Sequence, residues 1–102
     1  MDLENEIDSH DGVLKACVVG HPHPKWDERP VALVVLKPGA NVTAEQVNAR
    51  CAKHFARWQL PDDVLFVGSI PQNSTGKMDQ RAVRERLKSE GYRLPDQLTT
   101  EN

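Results

Sequence analysis

Three short apolar runs, residues 13–20, 31–36 and 64–67, set the main limit on what this chain folds into. Each is rich in Val, Leu or Phe, each is too short to make a helix of ordinary length, and each meets glycine or proline at its end: Gly20, Pro38-Gly39, and Gly68 with Pro71. Runs of that kind read as strands, the last of them covered on at least one face. Between the first two lies the segment 20–30, which carries Pro22, Pro24 and Pro30. Those prolines predict an ordered loop without regular structure.

Helical spacing fills the intervals. Leu3 and Ile7 repeat at one helical turn, and Asp11-Gly12 ends that segment, predicting a short first helix. Thr43-Ala44-Glu45-Gln46 is a capping box: the Thr43 hydroxyl accepts from the third helical amide while Gln46 reaches back. Val47, Cys51 and Phe55 then form an apolar stripe that should lie on the sheet, Leu60-Pro61-Asp62-Asp63 closes the segment, and Trp58 sits at the helix's end. Met78, Ala82, Val83 and Leu87 mark one face of a third helix, Arg81, Arg84, Glu85, Arg86 and Lys88 lie largely off it, and Gly91 stops it. The sum is a small α+β domain with a sheet of about three strands and about three helices, spanning residues 1–91. Residues 92–102, polar with one proline, are expected to be a loosely held tail.

At 102 residues there is room for one domain with one modest core. A net charge of −2 supplies no bulk attraction for nucleic acid, so an anionic partner would be met locally. No stretch approaches the apolar length of a membrane span, and the acidic start Met1-Asp2-Leu3-Glu4 lacks the regions of a signal peptide; a cytoplasmic setting is expected. Cys17 lies in a strand-like run and Cys51 on a helical one, without Cys-x-x-Cys spacing, so both read as buried thiols rather than a disulfide or metal pair.

The segment Pro71-Gln72-Asn73-Ser74-Thr75-Gly76-Lys77-Met78 carries the chemistry. Gly76 opens backbone conformations closed to other residues, and Lys77 puts a compact charge on a flexible stem at the tip of a turn-rich loop. Such a loop suits delivery of charge to an anionic substrate; the plain alternative is a solvated lysine, the fate of most lysines. A Walker phosphate loop is excluded, because no glycine stands five residues before Gly76 and Met78, not Ser or Thr, follows the lysine. His21 and His23 lack further ligands at sensible spacing, so no metal site is expected. No Ser-His-Asp or Cys-His pairing emerges.

Three segments in order, however, resemble one family. Residues 2–7 look like the helix after its hinge region, Val18-Val19-Gly20 through Trp26-Asp27-Glu28 looks like its Val-Val-Gly … Trp-Gly-Glu loop, and Pro71 … Gly76-Lys77 … Val83-Arg84 looks like its terminal Pro-x-x-x-x-Gly-Lys motif followed by Leu-Arg. Nearly the whole chain thus resembles the C-terminal domain of the adenylate-forming enzymes: acyl-CoA synthetases, adenylation domains of nonribosomal peptide synthetases and firefly luciferase. The departures are Asp27, where the family usually has glycine, Gln80, where a basic residue is frequent, and Leu60 and Asp62, where some relatives carry basic residues. The run Trp58-Gln59-Leu60-Pro61-Asp62 is closer to fatty-acid-activating members.

The resemblance implies a two-step reaction. A large N-terminal domain binds ATP and a carboxylic acid, with magnesium expected there, and an acyl-adenylate and pyrophosphate form; coenzyme A then displaces AMP. The C-terminal domain serves both steps by rotating about a hinge. Lys77 is implied as the catalytic lysine of the first step, with Gly76 beside it at the nucleotide. On the second face Trp26 and Trp58 are implied as aromatic walls for coenzyme A, or are simply core; Arg29 and Arg57 as phosphate contacts, or as solvated arginines. Gly20 reads as a strand-end turn, or as a residue near the pantetheine path. By this reading the domain works as the mobile lobe of an acid:CoA ligase for a medium- or long-chain fatty acid and is inactive alone. Two alternatives stand beside it: a module that loads a carrier protein, and a non-catalytic protein-binding domain.

Overall fold

The computed structural model describes residues 3–94. Its elements run α1 (Leu3–Asp8), β1 (Val13–His23), β2 (Asp27–Leu36), α2 (Ala44–Ala52), a 3-10 turn (Arg57–Gln59), β3 (Asp63–Phe66) and α3 (Gln80–Ser89). The sheet order is β1-β2-β3, with β1 and β2 antiparallel and β2 and β3 parallel. Helix α2 makes the crossover that a parallel pair requires.

The central strand β2 buries Val31, Ala32, Leu33, Val34 and Val35 in succession, because both faces of the sheet are covered. Alternation then divides the core. On one side Ala16, Ala32, Val34 and Val64 pack with Ile7 of α1 and with Val47 and Cys51 of α2. On the other, Cys17, Val19, Val31 and Leu33 pack with Val83 and Leu87 of α3 and with Ile70. The two cysteines are free and buried, and they lie in opposite cores.

The expected irregular segment 20–30 is instead the distal half of a long hairpin, in which Gly20 pairs with Pro30, His21 with Arg29 and Pro22 with Glu28. Proline is tolerated where its missing N–H faces away from a ladder. Pro30 turns its carbonyl toward the Asp62 amide at 2.8 Å, so its absent donor points to the β3 side, one residue before Val31 begins that pairing. Two residues along an antiparallel pair the direction repeats, so Pro22 faces the free edge of β1. Gly20 is therefore a mid-strand residue and not a strand-end turn. A Cβ there would lie 2.5 Å from Glu28 Oε1, so glycine at this position gives the cross-strand side chain its room.

Two further boundaries move. α2 ends at Ala52, ahead of Phe55 and Trp58, although the Phe55 amide still bonds the Cys51 carbonyl at 3.0 Å and its ring packs on the core. Trp58 sits in the separate 3-10 turn. After α3, Gly91 takes φ +71 and the Tyr92 amide bonds the Leu87 carbonyl, which turns the chain back onto the sheet. Leu94 is then fully buried and Tyr92, partly buried, donates from Oη to Asp63 Oδ2 at 2.6 Å, so these two side chains pack onto the domain while Arg93 between them is exposed. Full burial of one leucine is worth roughly 2 kcal/mol. The rest of the expected tail lies outside the described residues.

The capping box at α2 is present as read, with Gln46 N to Thr43 Oγ1 at 3.1 Å and Thr43 N to Gln46 Oε1 at 2.9 Å. Helix α3 is capped by Asp79, whose Oδ1 accepts from the Ala82 amide at 3.0 Å.

Candidate active-site lysine loop and aromatic cleft

Residues 71–79 form a small closed strap between β3 and α3. Its base is sealed by the Gln72–Met78 bridge and by the Asp79 amide donating to the Pro71 carbonyl at 2.9 Å. Gly76 turns the tip with φ +83, a left-handed conformation that a side chain disfavours, and no heavy atom crowds it within 4 Å. Lys77 follows, exposed. It lines a cleft of about 470 Å³ shared with Glu4, Asp8, Leu14, Lys15 and Gln72.

Beside this cleft the free edge of β1 is closed by two side chains. Glu4 Oε2 accepts from the Val18 amide at 2.7 Å and from Gln80 Nε2 at 2.8 Å, and Gln80 Nε2 also reaches the Val18 carbonyl at 3.4 Å. An unpaired strand edge is thereby covered and α1 is tied to the start of α3. Gln80, at a position where the resembled family frequently has a basic residue, is engaged in this clamp.

The second cleft lies at the hairpin's far end. Trp26, Arg29, Trp58 and Asp62 line a space of about 310 Å³, with Trp26 at 59% and Trp58 at 71% exposure. Neither ring is core. Exposed tryptophans in pairs are costly to leave in water, and rings of this kind offer faces for stacking or for an apolar chain. Lys25 Nζ lies 4.8 Å from the Trp26 ring centroid. Arg29 is not held out to solvent: Nη1 donates to the Trp58 carbonyl at 2.9 Å, Nη2 to the Leu60 carbonyl at 3.3 Å, and Nε and Nη2 both bond Asp62 Oδ1. Arg57 is exposed in the 3-10 turn.

His21 is buried edge-on to the Tyr92 ring, centroids 4.9 Å apart, and His23 Nδ1 accepts from the Lys25 and Trp26 amides in the hairpin turn. Both histidines thus have structural tasks. Among the described residues no group of three or more His, Cys, Asp or Glu gathers to hold a metal ion.

Residues 2–77 match the family described as AMP-binding enzyme C-terminal domain. The chain belongs to that family. A long-chain-fatty-acid–CoA ligase of Thermus thermophilus is 48% identical over 90 residues, 87% of this chain and 16% of the relative. A medium-chain-fatty-acid–CoA ligase of Ectopseudomonas oleovorans is 37% identical over 86 residues, 84% of this chain and 16% of the relative. Among solved structures, a fatty acyl CoA synthetase of Mycobacterium tuberculosis superposes with a TM-score of 0.79 at 34% identity, over 87% of this chain and 18% of that one. This AMP-binding C-terminal domain therefore spans about a sixth of the proteins it matches.

The domain gathers Trp26, Arg29 and Trp58 into one cleft and sets Lys77 and Gly76 apart from them. Lys15, beside the lysine cleft, and His23, in the hairpin turn, stand eight residues apart in an extended strand, about 26 Å at 3.3 Å per residue. Sequence reasoning did not single out Asn73, Glu4 or the Arg29–Asp62 pair. An asparagine two residues before a threonine in a turn was the available signal for Asn73; the other contacts join residues distant in sequence and had none.

Among the described residues no helix is long and apolar enough to cross a membrane.

Proposed function

We propose that this domain is the mobile C-terminal lobe of an AMP-forming acid:CoA ligase acting on a fatty acid, and that it serves the two steps of the reaction with two separate surfaces, one beside each end of the β1–β2 hairpin. One observation carries the reading: the lysine strap, beside the start of β1, and the tryptophan cleft, at the far end of the β1–β2 hairpin, are both exposed and stand far apart. A single docked pose brings one of them to a reacting centre; rotation brings the other. Family membership and fatty-acid–CoA ligases among its relatives support the reaction class and the acyl class.

In the first step a carboxylate attacks the α-phosphate of ATP, and two anions must approach each other. The Lys77 ammonium, placed about 4 Å from each, offsets about 4 kcal/mol of that repulsion at an effective dielectric of 20. Gly76, free of side-chain bulk, lets the strap enter a narrow site. The lysine needs reach and charge, and takes no proton from the reactants.

In the second step the thiol of coenzyme A attacks the acyl carbon and AMP leaves. Trp26 and Trp58 provide ring faces for the adenine or the pantetheine arm, Arg57 lies free at the surface beside them to meet phosphate, and Gly20 keeps the strand narrow along the same hairpin. Arg29 contributes by fixing Trp58. The N-terminal domain of the full-length enzyme is the partner that holds ATP, its magnesium and the acid; the domain alone carries out no adenylation.

The test is a double dissociation in the full-length enzyme. Lys77→Ala should cut acyl-adenylate formation at least a hundredfold and leave thioester formation from supplied acyl-adenylate intact, whereas Trp26→Ala with Trp58→Ala should leave adenylation intact and raise the KM for coenzyme A. A protein-binding domain predicts neither effect. A holo-carrier protein used in preference to free coenzyme A would move the acceptor assignment and leave that of Lys77 standing.

A further inference from the structure

The backbone at Lys77 is set by a single neighbouring side chain. Asn73 Oδ1 accepts from the Thr75 amide at 3.0 Å, from the Thr75 hydroxyl at 2.6 Å and from the Lys77 amide at 3.1 Å. Its backbone closes the same ring: the Asn73 amide donates to the Lys77 carbonyl at 2.8 Å, and the Gly76 amide donates to the Asn73 carbonyl at 3.0 Å. The Lys77 peptide is thus held at both its N–H and its C=O by one residue. The strap is exposed, with no hydrophobic packing at its tip, so these bonds are what selects one conformation against the many that a Ser-Thr-Gly sequence permits.

We propose that Asn73 is a positioning residue for Lys77, and that its carboxamide oxygen pre-organises the strap so the ammonium enters the reacting centre in one orientation. This rests on the assignment of Lys77 to the adenylation step. Asn73 itself touches no reactant. What the geometry asks of position 73 is an acceptor at the Oδ1 position, since the three side-chain bonds all go to that atom. Aspartate keeps it; leucine, of similar size, lacks it. Misplacement of a reacting group by about 1 Å costs on the order of a hundredfold in rate, which sets the scale of the effect.

The experiment uses the full-length enzyme with Asn73→Leu, Asn73→Asp and Lys77→Ala, and measures pyrophosphate release with ATP and a fatty acid alongside thioester formation from supplied acyl-adenylate. Asn73→Leu is expected to lower the kcat of adenylation about tenfold to a hundredfold with little change in KM and to leave the thioester step within about twofold of wild type, with Asn73→Asp recovering most of the rate. Wild-type adenylation by Asn73→Leu in an enzyme that Lys77→Ala disables would overturn the positioning role alone. A loss shared by both half-reactions, or one that Asn73→Asp does not recover, would overturn it too, as general damage to the domain. Undiminished adenylation by Lys77→Ala would remove the lysine assignment itself.

Discussion

Arg29 and Asp62 meet through a guanidinium fork: Nε and Nη2 both donate to Asp62 Oδ1, at 3.0 and 2.7 Å. The same guanidinium donates to the carbonyls of Trp58 and Leu60, so one side chain from β2 anchors the 3-10 turn and sets one tryptophan opposite the other. Sequence offered this arginine as a phosphate contact; the fold uses it to build the cleft.

Removing that anchor should loosen Trp58. Arg29→Ala is expected to destabilise the domain by about 2 kcal/mol, since hydrogen bonds to a charged group are lost from a pair that is mostly shielded from water. Arg29→Lys should recover less than half, because an ammonium cannot span a carboxylate and two carbonyls in one plane. Urea unfolding followed by tryptophan fluorescence gives both values, and a wild-type midpoint for Arg29→Ala would contradict the anchor.

The hairpin turn carries a backbone conformation suited to glycine. Asp27 has φ +63, and the Glu28 amide bonds back to the Trp26 carbonyl at 2.7 Å across it. Aspartate tolerates this region better than most residues but at some cost. Asp27→Gly should therefore be neutral or stabilising by up to about 1 kcal/mol, relief of strain outweighing the looser unfolded chain, whereas Asp27→Val should destabilise by more than about 1 kcal/mol. Thermal midpoints of the two variants should fall on opposite sides of, or no lower than and below, the wild type.

His21 predicts a loss of stability in mild acid. Burial holds its imidazole below the usual pKa, the neighbouring Lys88 charge adds to the lowering, and a backbone hydrogen bond at Tyr92 opposes it. The unfolded chain then takes up a proton near pH 6.5 while the folded chain resists, so this contribution is full above that pH and declines as pH falls toward the depressed folded value. His21→Phe, which keeps a ring against Tyr92, should flatten the fall in urea midpoint between pH 7 and pH 5. A slope unchanged by the substitution would assign the acid sensitivity elsewhere.

The thiols should be silent until the domain opens. Burial, with the Glu4 carboxylate nearby, pushes Cys17 up to about 11, and burial also raises Cys51. Both stay protonated and inaccessible at pH 8, so an aromatic disulfide reagent should modify neither in the native domain and both in urea. Because the unfolded thiols ionise near pH 9 and the folded Cys17 does not, stability should also fall between pH 9 and pH 11, less so in Cys17→Ala. Rapid labelling under native conditions would place a cysteine at the surface.

Local information in the sequence determined the elements and their kinds. Apolar runs gave three strands, the Thr43–Gln46 capping box fixed the start of α2, helical spacing gave the buried faces at Val47, Cys51, Val83 and Leu87, and Gly76-Lys77 marked a charged tip; each depends on residues within a turn or two of one another. Tertiary structure alone decided the rest. Pro22 lies in β1 because its missing donor faces that strand's free edge, and Pro30 in β2 because its missing donor stands just before the pairing with β3 begins, properties of pairing that proline content does not express. Leu94 returns to the core, Glu4 and Gln80 close the edge of β1, and Arg29 turns inward because partners far along the chain meet them there. Periodicity reports which face of an element is apolar; only packing reports which neighbour satisfies a polar group on it.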